Sequence, residues 1–196
     1  MVGAAGAKSY RGFADLAKSQ VRGKDYDIVV CSRDSCVAVL APHGGRIEPR
    51  TSEIARAIAG EEFNLYLFEG IKPAGNYASL HLSSQRFDEP QCLALVGQCQ
   101  VVVAIHGCRG NDEKVLLGGL DDGLKGQLAN ALNRAGLRIE TTGHPFPGTD
   151  PGNVCNRGRS CEGAQLELTA ALRGSSKEGI LVSAVRSVLM AAHAVA

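Results

Sequence analysis

The sequence contains no tryptophan, and aromatic residues make up only 5% of its 196 residues. No apolar run approaches the roughly 18 residues that a membrane-spanning helix needs. Residues 1–8 are small and lack the apolar core of a signal peptide. We therefore expect a cytoplasmic protein without a membrane segment, in which residues 1–8 form a flexible lead-in.

A strong excess of charge is also absent, since 21 basic and 20 acidic residues give a formal net charge of +1. Nucleic-acid binding through bulk positive charge is therefore not expected, although a local basic patch would be compatible with this composition. The Gly44-Gly45 pair is not followed by a P-loop lysine. A nucleotide-binding loop is therefore not expected either.

The seven cysteines include no Cys-x-x-Cys pair, which disfavours a structural zinc site built from four thiolates. Cys155 and Cys161 flank the short segment Asn-Arg-Gly-Arg-Ser and could close it with a disulfide. Disulfides are rare in the cytosol. We therefore favour free thiols and keep the Cys155–Cys161 disulfide as the alternative.

A chain of this length predicts one domain spanning residues 1–196. Apolar segments of strand length alternate with amphipathic segments, which predicts an α/β three-layer sandwich with a mixed central β-sheet flanked by helices. The sheet is expected to be mixed because the first two strands are close enough to form a hairpin. The predicted strands are 26–31, 37–41, 64–69, 79–83, 100–105, 114–119, 138–141 and 165–169, and the predicted helices are 10–20, 51–59, 89–97, 121–135 and 177–196.

Two predicted strands lead into a histidine followed by glycine. The strand 37–41 precedes His43, with Glu48 five residues further on, and the strand 100–105 precedes His106. Ligands collect at the carboxyl ends of strands in open α/β sheets. Two imidazoles and one carboxylate that leave a position for water are typical of catalytic zinc, so these residues predict a Zn²⁺ site. The alternatives are histidines satisfied by backbone groups at strand ends and a solvated turn carboxylate.

Several segments, taken in order from about Tyr26 to Arg173, resemble the phage and bacterial poly-γ-glutamate hydrolase family, whose members are also labelled phage-related replication proteins. The segments that carry the resemblance are 41–48 (APHGGRIE), 51–55 (TSEIA), 66–70 (YLFEG), 80–81 (LH), 87–90 (FDEP), 104–107 (AIHG), 156–159 (NRGR) and 165–168 (QLEL).

The resemblance implies a zinc-dependent hydrolase with a core similar to zinc carboxypeptidases, acting on the γ-glutamyl amide bonds of poly-γ-glutamate. It implies His43, Glu48 and His106 as metal ligands and Glu167 as the catalytic carboxylate. Four residues separate His43 from Glu48, whereas the carboxypeptidase pattern has two. A tight turn at Gly44-Gly45 could absorb the difference.

The predicted strand around Glu167 alternates, with Leu166 and Leu168 facing the side opposite to Glu167. One placement buries the leucines and presents Glu167 to a cleft. The alternative is the exposed face of an edge strand. His81 lies on another alternating segment and faces either the cleft or the sheet surface.

A polyanionic peptide polymer needs cationic partners, and arginine matches carboxylates with two parallel hydrogen bonds. Arg157 and Arg159 lie in a glycine-bearing loop, and Arg86 precedes Phe87. We predict that they bind substrate, with ordinary surface arginines as the alternative.

Two other functions stay open on the sequence alone. One is a zinc amidase acting on cell-wall peptides, which also contain γ-glutamyl bonds. The other is a phage replication-associated binding protein without catalysis, which the near-neutral charge disfavours. We expect a monomer, with release on phage lysis as a route out of the cytoplasm.

Overall fold

The structure is a computed structural model that describes residues 10–194. The predicted flexible lead-in at residues 1–8 lies outside the described residues. Within them, no helix is both long and apolar enough to cross a membrane.

Seven strands form one mixed sheet in the order β1-β3-β2-β4-β7-β5-β6. The neighbours β3, β2, β4 and β7 run parallel to one another, and β5 runs parallel to β6. The pairs β1–β3 and β5–β7 are antiparallel. The strands are β1 (Tyr26–Cys31), β2 (Val37–Gly45), β3 (Asn64–Gly70), β4 (Val101–Cys108), β5 (Lys114–Gly119), β6 (Arg138–Glu140) and β7 (Ala164–Thr169).

Helices cover both faces of this sheet, which confirms the predicted three-layer α/β sandwich. One hydrophobic core lies between the sheet and α2, α5 and α6. A second core lies between the other face and α1, α3 and α4. The helices are α1 (Phe13–Leu16), α2 (Thr51–Ala59), α3 (Asn76–Leu80), α4 (Pro90–Val96), α5 (Asp122–Arg134) and α6 (Glu178–His193), with 3-10 turns at Ser84–Arg86 and Val154–Arg157.

Strand β4 occupies the middle of the sheet. Val103 and Ile105 point into the first core, while Val102 and Ala104 point into the second. A parallel strand that is buried on both faces needs a nearly continuous apolar run rather than an alternating one. Burial on both faces therefore explains the continuous apolar run from Val101 to Ile105.

The predicted hairpin between the first two strands is wrong. Strand β1 pairs with β3 in antiparallel orientation, and β2 lies between β3 and β4. Tyr26 of β1 stacks on Phe68 of β3, with 4.8 Å between ring centroids. β2 is buried at nearly every position, as expected for an inner parallel strand whose two faces are both covered. The sheet is mixed, but for a different reason than the sequence suggested.

The predicted strand at residues 79–83 is also wrong. Residues 76–80 form α3, and the chain continues as an irregular segment through His81 and Leu82 to the 3-10 turn that follows. Leu80 and Leu82 are buried, and His81 is partly exposed. The alternating pattern therefore arises because the two sequence neighbours of His81 are buried, although the segment pairs with no strand.

All seven cysteines are free in the structure. Cys155 is buried and Cys161 is exposed, so the alternative disulfide is not formed. The preference for free thiols is confirmed.

Candidate metal centre

Neighbouring strands β2 and β4 bring the two predicted histidines to the same edge of the sheet. The strands are parallel, with Leu40 beside Ala104, so their carboxyl ends meet. His43 lies on β2 and His106 lies on β4. Both side chains are almost completely buried, at 2% exposure each.

A β-bulge turns His43 toward His106. Strict alternation would place His43 on the same face as Ala41, which packs in the core opposite to the face of His106. The pairing of β2 with β3 shifts register between Ala41 and Gly44, and one extra residue in a strand reverses the direction of the side chains that follow. The His43 ring accordingly lies 6.4 Å from Phe87, a member of the second core.

The glycine-rich turn after His43 returns the chain so that Glu48 reaches the same edge. The Glu48 backbone N–H donates to His43 O at 2.9 Å. Gly45 adopts φ 61°, a left-handed conformation that favours glycine. A Cβ on Gly44 would collide with the Ser52 hydroxyl. This geometry agrees with the prediction that a tight turn at Gly44-Gly45 accommodates the four residues between His43 and Glu48.

The side-chain donor atoms of His43, Glu48 and His106 face a common centre and lie within 4.8 Å of one another. The two Nδ1 atoms are 3.1 Å apart. His43 Nδ1 is 3.1 Å from Glu48 Oε1, and His106 Nδ1 is 3.6 Å from Glu48 Oε2. Ligand atoms at about 2.0–2.1 Å from a tetrahedral zinc lie about 3.3–3.4 Å apart. The observed separations bracket that value, so the donor set fits zinc.

The outer ring nitrogens orient both imidazoles for metal binding. His43 Nε2 lies 2.7 Å from Leu82 O. A carbonyl can only accept, so Nε2 holds a proton, and in a metal-bound state the Nδ1 lone pair of the neutral ring would face the centre. His106 Nε2 lies 3.4 Å from the Ser84 hydroxyl.

Glu48 is held in its charged form. Burial raises its pKa, but the charge of His43 and hydrogen bonds from His106, His43 and His81 outweigh burial and hold the pKa well below its usual range. The Gly107 N–H also donates to Glu48 Oε2 at 2.8 Å. A carboxylate that keeps its charge near neutral pH is suited to binding a cation.

Glu167 lies beside the three residues without belonging to their cluster. Strand β7 is next to β4, and Glu167 is in register with His106, so the two side chains share a face. Because β7 lies between β4 and β5, the edge-strand alternative is wrong. Glu167 is 7% exposed. Burial, followed by the charge of Glu48, raises its pKa against the opposing effect of His106.

One cavity of about 1090 Å³ contains His43, Glu48, His106 and Glu167. The irregular segment between β6 and β7 supplies one wall, through residues 145–151 and Asn153. The Asn156 side-chain amide fixes that wall by donating to Gly148 O at 2.8 Å and to Asp150 O at 2.9 Å. The long loop thus has an ordered role at the site.

The three predicted substrate-binding arginines do not line this cavity. Arg86, Arg157 and Arg159 are exposed. The Arg159 backbone N–H donates to Cys99 O, which lies just before β4 and therefore near the opposite edge of the sheet. Arg86 Nη1 donates to Tyr10 O. A role for these arginines in substrate binding stays a prediction that the geometry does not favour.

Sequence reasoning left His81 open and missed Arg173, and both line the cavity. The His81 ring stacks on His43 with 4.1 Å between centroids. His81 Nε2 lies 3.5 Å from Glu48 Oε1. Burial and the charge of His43 lower the pKa of His81. Arg173 could have been found by its position shortly after the strand that carries Glu167.

The fold and site together define a class of protein: an α/β sandwich with a buried His-Glu-His cluster that could hold a metal ion and a second buried carboxylate, all near the carboxyl ends of its parallel strands. The chain matches the family model described as "Poly-gamma-glutamate hydrolase" over residues 10–179. It belongs to that family.

Known proteins extend this assignment. The chain is 37% identical over 168 residues to the UPF0714 protein YndL of Bacillus subtilis (strain 168), covering 85% of this chain and 66% of YndL. It therefore spans slightly less than two thirds of that relative.

Among solved structures, a bacteriophage poly-γ-glutamate hydrolase superposes with a TM-score of 0.90 at 27% identity, covering 95% of this chain and 99% of that one. YndL in a zinc-free form gives 0.86 at 31% identity, with 94% and 98% covered. An N-formylglutamate amidohydrolase from Ralstonia eutropha JMP134 gives 0.58 at 12% identity, with 87% and 98% covered, and shares the fold alone.

Proposed function

We propose that this protein is a zinc-dependent hydrolase that cleaves the γ-glutamyl amide bonds of poly-γ-glutamate. The observation that carries the proposal is the convergence of the His43, Glu48 and His106 donor atoms beside Glu167. Membership of the poly-γ-glutamate hydrolase family supports the substrate class. The solved zinc-free form of YndL supports zinc as the metal.

Zinc bound by these three residues would polarise the amide carbonyl of the substrate and lower the pKa of water toward neutrality. The protein's own contribution is to orient the ligands. Leu82 O holds the His43 ring, and the Gly107 N–H holds Glu48. Such outer contacts keep the ligands in one geometry and preserve the tautomer that binds metal.

Glu167 is the proposed general base. Its carboxylate would accept a proton from the attacking water and pass it to the nitrogen of the leaving amine. A pKa raised by burial suits this role, because a base with a pKa nearer to neutrality also returns the proton readily. The neighbouring positions of Glu167 and His106 on adjacent strands support this role.

The test compares Glu167→Gln with the parent protein. The substitution keeps the shape of the side chain and removes the base, so turnover of purified poly-γ-glutamate should fall about 10²–10⁴-fold while the protein keeps its zinc. Elemental analysis and release of new amino groups provide the two measurements. The parent treated with a chelator should lose activity.

Three results would count against this proposal. A parent protein without zinc after purification and reconstitution would exclude the metal. Loss of zinc from Glu167→Gln would make Glu167 a ligand. Cleavage of cell-wall peptides in place of poly-γ-glutamate would favour the amidase alternative.

A further inference from the structure

Arg173 is fixed between the two segments that carry metal-binding residues. Its Nη1 donates to Pro49 O at 2.7 Å, and its Nη2 donates to Cys108 O at 3.1 Å. Pro49 directly follows Glu48, and Cys108 lies two residues after His106. The guanidinium group is thus held at the carboxyl edge of the sheet, in the wall of the cavity described above.

The end of β4 leaves room for this guanidinium group only because residue 107 is glycine. A Cβ on Gly107 would lie 2.5 Å from Arg173 Cζ, well inside van der Waals contact. Any larger residue would displace the arginine from its position. The site therefore has room for the positively charged guanidinium group of Arg173 as well as for a metal ion.

The charge on Arg173 has no direct anionic partner in the described part of the chain. Arg173 Nε is buried and finds no hydrogen-bond partner among residues 10–194. No carboxylate within that range reaches ion-pair distance of Arg173, although burial lowers its pKa and the charges of Glu48 and Glu167 act in the opposite direction. Nη1 and Nη2 each use one N–H group on a carbonyl, and each keeps a second N–H group that could bind an acceptor.

A polyanion approaching this cavity meets two carboxylates, Glu48 and Glu167. Every residue of a γ-linked glutamate chain keeps a free α-carboxylate, so a positive charge close to the reacting bond, in addition to that of the metal, would favour substrate binding. Among the described residues, the only lysine or arginine side chains lining the cavity are those of Arg173 and the exposed Arg109. Arg173 is the half-buried one, where a charge is less screened by water.

We propose that Arg173 binds the α-carboxylate of a glutamate residue adjoining the scissile γ-amide bond and thereby selects γ-linked glutamate over uncharged chains. Arginine suits this role because its planar group can donate two parallel hydrogen bonds to one carboxylate. This inference rests on the proposed function, since it names the substrate group that the same cavity recognises.

The test separates binding from turnover. Zinc-loaded protein carrying Glu167→Gln is titrated with a γ-linked glutamate tetramer and with the same tetramer whose α-carboxylates are primary amides. Arg173→Gln should weaken binding of the carboxylate tetramer about 10- to 100-fold, as expected for one charged hydrogen-bonded contact. Binding of the amide tetramer should change less than about twofold. Arg173→Lys should fall between, because it keeps the charge and loses the planar fork.

The matched control is Arg134→Gln, which removes an exposed arginine in the last turn of α5. It should leave the binding of both tetramers unchanged. Should Arg173→Gln fail to fold, Arg173→Lys decides, since its loss must still be confined to the carboxylate tetramer.

Three outcomes overturn the inference: equal loss for both tetramers, which would make Arg173 a structural anchor; no loss for the carboxylate tetramer; and no binding of that tetramer by the Arg173-containing protein. Failure of the proposed function is seen separately, as absence of poly-γ-glutamate cleavage by zinc-loaded protein with Glu167 intact. In that case a selective loss with Arg173→Gln still supports a carboxylate site.

Discussion

Histidines lie beside polar side chains at both ends of the parallel strands, here called the carboxyl edge and the amino edge of the sheet. The two groups differ in how buried the histidines are and in whether a carboxylate is present. At the carboxyl edge, His43 and His106 are buried and share Glu48. At the amino edge, His193 is partly exposed, and its Nδ1 lies 3.5 Å from the Ser35 hydroxyl and from Cys36 Sγ. A metal-binding group thus requires fixed, buried rings turned toward a shared charge, and histidine alone does not provide it.

The largest difference between the edges is expected in metal binding. His43→Ala and His106→Ala should each lose zinc and at least about 10⁴-fold in turnover, because the loss of one ligand from a set of three removes the chemistry that the metal supplies. His193→Ala should keep both. Elemental analysis beside turnover measures the difference. Retention of zinc by either ligand variant would break the comparison.

Thiol reactivity should differ by roughly 10²-fold. Burial, followed by the charge of Glu167, raises the pKa of Cys108 at the carboxyl edge to about 11. An ordinary thiol titrates near about 8.5, so Cys108 has roughly 10²-fold less thiolate at pH 8 than an ordinary cysteine. Cys161 is exposed near the amino edge. Alkylation with iodoacetamide, followed by peptide mass spectrometry, should therefore label Cys161 first, and early labelling of Cys108 would contradict the assigned burial.

Substitutions at the two ends of the strands should also differ in how their effect on the free energy of unfolding depends on pH. This dependence is best measured on zinc-free protein. Because the pKa of Glu48 is lowered in the folded state, its stabilisation is present above the unfolded value of about 4.3 and is lost as the pH falls through the folded pKa. Glu48→Gln should cost about 1–3 kcal/mol at pH 7. The cost should shrink below about pH 4.

The control lies at the amino edge, where Glu62 forms an exposed ion pair with Arg186. Glu62→Gln should leave the free energy of unfolding almost unchanged at neutral and at acidic pH, because exposed ion pairs contribute little. Chemical denaturation at pH 7 and pH 3.5 measures both variants. A cost for Glu48→Gln that grows toward low pH would contradict the assigned direction.

The last expected difference is between two glycines, at the end of β4 and in α5. Gly107→Ala should destabilise the protein by about 1–3 kcal/mol, because its Cβ collides with the anchored Arg173. Gly126→Ala lies in α5 with nothing within 4 Å of a Cβ, so it should raise stability by about 0.5–1 kcal/mol. Thermal unfolding of the two variants gives the comparison. A neutral Gly107→Ala would mean that Arg173 is free to move.

Most strands and the clustering of His43, Glu48 and His106 could be predicted because their signals are local. The run from Val101 to Ile105 is apolar at each position, and His106-Gly107 follows it directly. The segment at residues 79–83 was misjudged for the converse reason. Its alternating pattern comes from packing at the wall of the cavity, which resembles a half-buried strand when only the sequence is considered.

The cationic part of the site could not be predicted in the same way. Arg157 and Arg159 lie in a glycine-bearing loop that is typical of a binding segment, yet both lie outside the cavity. Arg173 has no motif of its own. Its position depends on carbonyl groups at Pro49 and Cys108, which are 124 and 65 residues away in the chain.

The sequence by itself determined most of the buried strands and placed His43 and His106 near the carboxyl ends of two of them, because burial imposes apolar runs and turns require glycine. Only the tertiary structure decided which side of the sheet each group faces. One extra residue in the bulge of β2 reverses the direction of His43 and brings it to the face of His106. Sheet pairing between distant segments sets that register, and no local pattern in the sequence specifies it.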